Sequence, residues 1–383
     1  MLLATTPPSS VPRIMPSIEQ NPRQSRVSRT AAATAVASND TVMEKPTMRD
    51  VGRRAGVSAM TVSRVLSGKS VADETRERVR AAVAEMGYRR NEVARSLRKG
   101  LGTGLVGLIV TDLGNPFYAH LARGVEELVA MEGIRVVIAS SRQDPALEQS
   151  LVEEFIARQV AGLIVVPLGA DQSHLASAVL GPVPVVLAVR PSFGIEADCV
   201  LLDDFGGARE ATDLLIRGGH TRIGYLGLNP VWTSTERYRG HCSAMNDAGI
   251  DVADDLAARH HASVEVAEQA TRELLAMPDP PTALFCDNNR NTLGACRALA
   301  STGQSIPIAG FDELEASDLL GFQLALVTYR PEELGRNAAR ALVARLGGDT
   351  SPAQRTVLTT NLVMTGGWAR TAVARSDDVH RPS

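Results

Sequence analysis

Few residues in this 383-residue chain are spaced for bond-making chemistry. Gly102-Thr103-Gly104-Leu105-Val106-Gly107 spells GxGxxG. A dinucleotide fingerprint follows a strand and opens a helix. These glycines precede the apolar run Leu105–Val110, so they read as linker. Adjacent residues on a strand face opposite ways, so His260-His261 is a metal site only if other ligands converge on it. His220 falls in a Gly-Gly-His-Thr turn, and Cys199, Cys242, Cys286 and Cys296 form no CxxC pair. Cys286 reads as a buried hydrophobe, not a nucleophile. With no GxSxG elbow, HExxH or P-loop, neither catalysis nor a bound cofactor or metal is expected.

The stretch suited to recognition is Ala59-Met60-Thr61-Val62-Ser63-Arg64. Arg64 carries a planar fork of donors that matches guanine O6 and N7, while Ala59 and Met60 offer apolar contact to a thymine methyl. Three short helices must position them. Thr47-Met48-Arg49-Asp50 resembles a capping box opening a helix to about Ala55, and Gly56-Val57 makes a turn. Ser58 caps the second helix, buried through Val62, Val65 and Leu66 and ended by Gly68. Asp73 caps a third, with Val79, Ala82, Val83 and Met86 as its stripe and Gly87 beyond it. Two helices joined by a glycine turn place the second in a DNA major groove. Charge agrees: residues 44–100 carry 14 Lys/Arg against 7 Asp/Glu, yet the whole chain is net −3. A basic module on an acidic body points to one part that meets a polyanion.

The remaining chain divides by composition. Residues 1–45, rich in Pro, Ser, Thr, Ala and Arg, are expected to be a disordered tail without signal-peptide character, and Met43 is an alternative start of translation to Met1. Residues 46–90 form the helical module and 91–103 a hinge and linker. In that linker Asn91–Leu97 has helical composition but is too short for a stable isolated helix. Residues 104–370 alternate strand and helix, and 371–383 are a polar tail. Strands are expected at Leu105–Val110, Ile134–Ala139, Leu163–Val166, Val183–Val189, Ile223–Leu226, Thr282–Phe285 and Ser305–Ala309. Helices are expected at Phe117–Met131, Ala146–Gln159, Gly206–Arg217, Ser234–Ala248, Val264–Ala276 and Asn289–Ala300. Such alternation means an α/β body of parallel sheets covered on both faces, enough for two lobes with a crossing near 190–200. Ligands would then sit in a cleft at the strands' carboxyl ends. No run of apolar residues is long enough to span a membrane.

Thr47–Arg80, and "AGVSAMTVSRVL" most of all, resembles the headpiece of the lactose-repressor/galactose-repressor (LacI/GalR) family. The resemblance continues through "GYRRNEVARSLRKG", "VGLIVTDLGNPFY", "PVVLAVRP", "GGHTRIGYLG", "ERYRGH" and "GFDE", covering about residues 45–370. It implies a cytoplasmic homodimer that binds a pseudo-palindromic operator in double-stranded DNA. It implies a periplasmic-binding-protein-like body holding a small effector such as a sugar or sugar acid. It puts DNA contacts at Thr47, Ser58, Ala59, Met60, Thr61, Ser63 and Arg64. Asn91, Ala94 and Leu97 fall on its hinge helix, with Leu97 as a minor-groove wedge. In the cleft it implies Arg237, Asn288 and Asp312 as polar ligand contacts. Phe117 and Trp232 would pack on a sugar face, Arg190 would complement an acidic ligand, and Tyr329 stands where a glutamine is common. On this reading Arg237→Ala silences the effector response and spares operator binding.

The chain departs from that pattern at several places. Arg90 replaces a usual Pro, and the loop Ser67–Val71 is about one residue short. Asn289 replaces a usual Asp, and Met364-Thr365-Gly366-Gly367 replaces an arginine-containing ending. Pro307 removes a ladder donor, so the strand beside it is expected at an edge or displaced. The ligand is therefore not expected to be the standard hexose. Two other readings stand beside this one: a transporter's solute-binding protein, and a regulator that has lost effector control. Against a third, an enzyme using a nucleotide cofactor, stand the misplaced glycine motif and the absent catalytic constellation.

Overall fold

The computed structural model describes residues 46–88, 104–227, 231–259, 263–315 and 317–365. Asn91, Ala94, Leu97, Arg90, His260-His261 and both expected tails lie outside them. The chain divides into two compact units, Met1–Arg90 and Asn91–Ser383.

The first unit holds α1 (Met48–Ala55), α2 (Ala59–Leu66) and α3 (Asp73–Glu85). Thr47 and Asp50 form the expected capping box, and Gly56 ends α1 in the left-handed region (φ 67°). A Cβ on Gly52 would meet the Val57 carbonyl at 2.7 Å, so only glycine lets the turn close this tightly. Val51, Val62 and Val79, one from each helix, are fully buried together. The expected cap on α3 is corrected. Its N-cap is Ala72, and the Asp73 carboxylate instead pairs with Arg76 at 2.8 Å.

In the second unit, β1 (Leu105–Val110), β2 (Arg135–Ser140), β3 (Gly162–Val165), β4 (Val185–Ala188) and β5 (Asp198–Leu202) join a late strand, β11 (Arg355–Leu358). They form a parallel sheet in the order β11-β5-β4-β3-β1-β2. The second sheet uses β6 (Ile223–Gly227), β7 (Ala257–Arg259), β8 (Ala283–Cys286), β9 (Ile308–Phe311), β10 (Leu324–Thr328) and β12 (Asn361–Thr365). Its order is β12-β10-β9-β8-β6-β7, with only β12 antiparallel. Helices α4 (Pro116–Met131), α5 (Pro145–Ala157), α6 (Ser177–Leu180), α7 (Asp204–Arg217), α8 (Trp232–Asp247), α9 (Val264–Leu275), α10 (Asn289–Thr302) and α11 (Pro331–Leu346) complete the unit. Apolar clusters lie on both faces of each sheet, which is why the strands read as continuous hydrophobic runs.

Three corrections follow. The chain leaves the first sheet at Asp203, after β5, and not within 190–200. It returns after β10, since α11 packs on α4 in the first lobe, and crosses once more between β11 and β12. The strand beside Pro307 is interior. Pro307 precedes β9 and needs no ladder donor there, and its carbonyl accepts from Leu284 N at 3.0 Å. Gly107, the last glycine of GxGxxG, lies in β1, where a Cβ would strike the Phe155 and Leu163 side chains. It is a packing residue. Among the described residues no cluster of three His, Cys, Asp or Glu is arranged for a metal, and no helix is long and apolar enough to cross a membrane.

Candidate functional site

The first candidate site is the outer face of α2. Ser58 caps the helix by accepting from Thr61 N at 3.1 Å, and its hydroxyl also pairs with that of Thr61 at 3.0 Å. Val62 and Val65 turn inward, which leaves Met60 75% exposed and Arg64 exposed. Ala59 and Ser63 are partly buried at the edges of the same face. Arg64 donates to the Ser70 carbonyl at 3.3 Å, so the short loop after α2 steadies its guanidinium. Thr47 is held by its capping box at the other end of the motif.

The second candidate site lies where the carboxyl ends of both sheets converge in the second unit. β1 leads to Thr111, Asp112 and Asn115, and β4 to Val189 and Arg190. β8 leads to Asp287 and Asn288, β9 to Asp312, and β10 to Tyr329. All line one cavity of about 90 Å³. Parallel strands present side chains and free backbone groups at that edge, which is the place for ligands in such sheets. Phe117, Arg190, Arg237, Asn288, Asp312 and Tyr329 are all in the wall. Trp232 is not: it begins α8 and packs edge-to-face on Phe193, with ring centroids 5.6 Å apart.

Arg237 is the electrostatic centre of this wall, and it is buried. Its Nε donates to Asp204 Oδ1 at 2.8 Å, one terminal nitrogen donates to the Asp287 carbonyl, and Asp312 Oδ1 lies 3.6 Å away. The guanidinium rests on the Phe311 ring, 3.6 Å from its centroid. Asp312 also accepts from the Tyr329 hydroxyl at 2.6 Å. Asp287 accepts from Ser234, and from the amides of Asn288 and Asn291 at 2.7 Å each. Beneath this wall Tyr225, Tyr238, His241 and Phe285 stack. Burial pushes His241 down to about 4, so it is a neutral core residue.

The lobes also touch directly at the cavity. Asp112 and Arg290 pair at 2.5 Å. The amides of Asn115 and Asn289 face each other, Asn289 Nδ2 donating to Asn115 Oδ1 at 3.1 Å and the return contact at 3.5 Å. A carboxylate at position 289 would accept but not donate, so the departure to Asn permits this reciprocal clasp. Backbone strain gathers here as well: Gln143 (φ 60°), Val189 (φ 72°) and Asp312 (φ 74°) line the cavity. Sequence reasoning missed Asp112, Asp204, Asp287 and Arg290. The available signal was the density of acidic and amide residues just after β8, in "CDNNRN". Met364 in β12 is 48% exposed and takes no part in the wall.

Burial raises the Asp204 carboxyl to about 6, against the opposing pull of Arg237. A folded-state value above the ordinary 3.8 means the folded protein binds a proton more tightly than the unfolded chain. The associated stability is present below pH 4 and lost as pH rises through about 6. Neutral His241 contributes the opposite slope, so the Asp204 share must be read as a difference. Asp204→Asn keeps an acceptor for Arg237 and is expected to remove that share. Its unfolding free energy should gain on the unsubstituted protein between about pH 4 and pH 6 in urea titrations. Parallel curves for the two proteins would show that Asp204 ionises normally.

The chain matches the bacterial regulatory protein, lacI family, over residues 47–91. It matches the periplasmic binding proteins and sugar binding domain of the LacI family over residues 103–363. It is 32% identical to the HTH-type transcriptional regulator GalR of Escherichia coli strain K12, over 83% of this chain and 94% of that protein. It is 30% identical to catabolite control protein A of Priestia megaterium, over 79% and 93% of the two chains. Among solved structures it is similar to the lac repressor dimer bound to operator and the anti-inducer ONPF. That match has 25% identity, a TM-score of 0.70, and covers 84% of this chain and 98% of the other. The helix-turn-helix of residues 47–66 and the cavity at the strand ends thus lie within the two segments of one regulator architecture. The chain belongs to the LacI family and is a DNA-binding transcriptional regulator, not an enzyme.

Proposed function

We propose that the protein is an effector-controlled repressor. Two copies would read a pseudo-palindromic operator through the α2 face, and a small polyhydroxylated molecule in the cleft would set their affinity for it. The observation that carries this reading is the cavity itself, whose walls come from the strand ends of both lobes. A ligand there has different contacts when the lobes shift, which is the requirement for coupling to a second site. Exposed apolar residues support a homodimer: Val137 and Ile138 on the edge strand β2, and Val266, Leu319 and Leu320 in the other lobe. Asn91, Ala94 and Leu97 are proposed as the hinge segment that the operator orders. Acting on DNA places the protein in the cytoplasm.

The test is selection of fragmented genomic DNA on the purified full chain at moderate salt, with and without cell extract. An enriched palindrome is the expected result. No enrichment in either arm by a folded protein would overturn the proposal. On the recovered operator, Arg64→Ala is expected to cost about 1–3 kcal/mol and much less on random DNA. Equal losses on both, in fluorescence anisotropy titrations, would mean Arg64 touches only phosphate. Saturable binding of a small molecule that does not alter operator affinity would favour a regulator freed of effector control.

A further inference from the structure

We infer that the effector carries a carboxylate and that Arg190 is the residue that holds it. This rests on the cleft being the effector site. Arginines line the cavity at three positions, and two of them face a carboxylate of the protein: Arg237 faces Asp204, and Arg290 faces Asp112. Among the described residues Arg190 has none within ion-pair distance. One terminal nitrogen donates to the Pro167 carbonyl at 2.8 Å, and Nε is buried with no hydrogen-bond partner. Glu148, a buried carboxylate of that lobe, turns one oxygen to His174 at 2.9 Å and leaves the other without a hydrogen-bond partner among the described residues. Glu148 and Asp204 favour the Arg190 charge only from beyond ion-pair distance, and a partly buried guanidinium with no carboxylate in contact gains from an anion that meets it.

The backbone directs Arg190 to that position. Val189 just before it sits at φ 72°, where a β-branched residue is strained, and its N–H is fixed on the Val200 carbonyl at 2.8 Å. The wall it shares also holds the uncharged Thr111, Tyr118 and Gln143. The same wall holds the acceptors Asp287 and Asp312, suited to hydroxyls. The cleft therefore combines one arginine that has no carboxylate in contact with hydroxyl acceptors. At roughly 10–15 Å³ per water centre, its 90 Å³ equals about six to nine waters, the space of one sugar ring. One arginine with no carboxylate in contact, in a wall that also holds Asp112, Asp287 and Asp312, favours a monoanion over a phosphate dianion. The ligand class is a monocarboxylate polyol, a uronate or an aldonate. A larger cavity of about 780 Å³ opens on the other side of Phe117 and Tyr329, but there His120 and Arg123 already share Glu332.

The test is calorimetric titration of the full chain with D-glucuronate, D-galacturonate, D-gluconate and D-galactonate, beside D-glucose, D-galactose and their 6-phosphates. At least one acid is expected to bind about tenfold or more tightly than its neutral parent, a difference of about 1.4 kcal/mol. Arg190→Gln should bring acid and parent to within about threefold, and Arg190→Lys should retain part of the preference. Melting curves establish that each variant is folded. If Arg190→Gln does not fold, the acid-to-parent ratio of the unsubstituted chain and of Arg190→Lys decides. A neutral sugar or a phosphate binding as tightly as the acids, an unchanged ratio in Arg190→Gln, or no binding by any compound would each overturn the assignment. Operator affinity, measured on the same samples, separates the two questions. An acid that binds without moving it counts against the repressor reading alone. A neutral sugar that moves it counts against the carboxylate alone.

Discussion

Arg237→Met is expected to lower the unfolding free energy of the protein by about 3–5 kcal/mol. The side chain is buried among Asp204, Asp312 and the Asp287 carbonyl, with Phe311 beneath it. Methionine restores most of the apolar volume, so the loss is electrostatic: two buried carboxylates remain near each other with their cation gone. That asymmetry is why breaking a buried pair costs more than the pair contributes when intact. The sequence-based expectation that Arg237→Ala silences the effector and spares operator binding is therefore incomplete, because a partly unfolded body would produce the same loss of response. Urea denaturation of the full chain settles the point. Adding Asp204→Asn to Arg237→Met should recover a large share of the loss, since one stranded charge is then gone. A single variant within about 1 kcal/mol of the unsubstituted protein would contradict this account, since exposed ion pairs contribute no more than that.

Helix α2 was legible because everything that makes it is local. Its cap at Ser58, its buried valines and its turn at Gly56 are neighbours in sequence, and each acts within one helical turn. The strands beginning at Leu105, Ile223 and Ala283 were legible for a related reason: burial on both faces leaves an uninterrupted apolar run. β5 and β10 have similar runs and were overlooked. β11 is a different case. Arg355 to Val357 are exposed, and the strand exists because the chain returns to pair with β5, a long-range event with no local mark. Helix α11 was missed because its buried side is Gly335, Ala338 and Ala339 as well as Leu334 and Leu342. Small residues carry little hydrophobic signal, yet they are what a close helix contact requires.

The cleft divides in the same way. Resemblance located Arg237, Asn288 and Asp312, since each sits in a recognisable local string. It said nothing of which arginine is neutralised. That depends on Asp204 at the start of α7, on α8, and on the ends of β8 and β9, which only the crossing chain brings together. The difference between a paired Arg237 and an unpaired Arg190 is thus tertiary information. It alone turns a general sugar-sized cavity into one with a stated ligand charge.

Gly335→Ala is expected to destabilise the protein by about 2–3 kcal/mol and to weaken effector binding with it. A Cβ on Gly335 would lie 2.1 Å from the Leu121 carbonyl oxygen and 3.0 Å from Val125 N, both backbone atoms of α4. The contact is reciprocal, because a Cβ on Gly124 would lie 2.1 Å from the Glu332 carbonyl oxygen of α11. Neither obstacle can rotate away, so the helices must part, and overpacking of this kind costs about 1–3 kcal/mol or more. Against it stands the higher helix propensity of alanine, worth about 1 kcal/mol. Steric overlap with backbone on both sides wins. The functional consequence follows from what the two helices carry. Asn115 and Phe117 begin α4, and Tyr329 lies just ahead of α11, with the two rings 6.0 Å apart in the cavity wall. Parting the helices moves Phe117 from Tyr329 and draws Asn115 from its clasp on Asn289. Urea midpoints and ligand titrations on Gly335→Ala and Gly124→Ala should therefore fall together. A stable Gly335→Ala protein with undiminished ligand affinity would show that this helix contact does not set the geometry of the cleft.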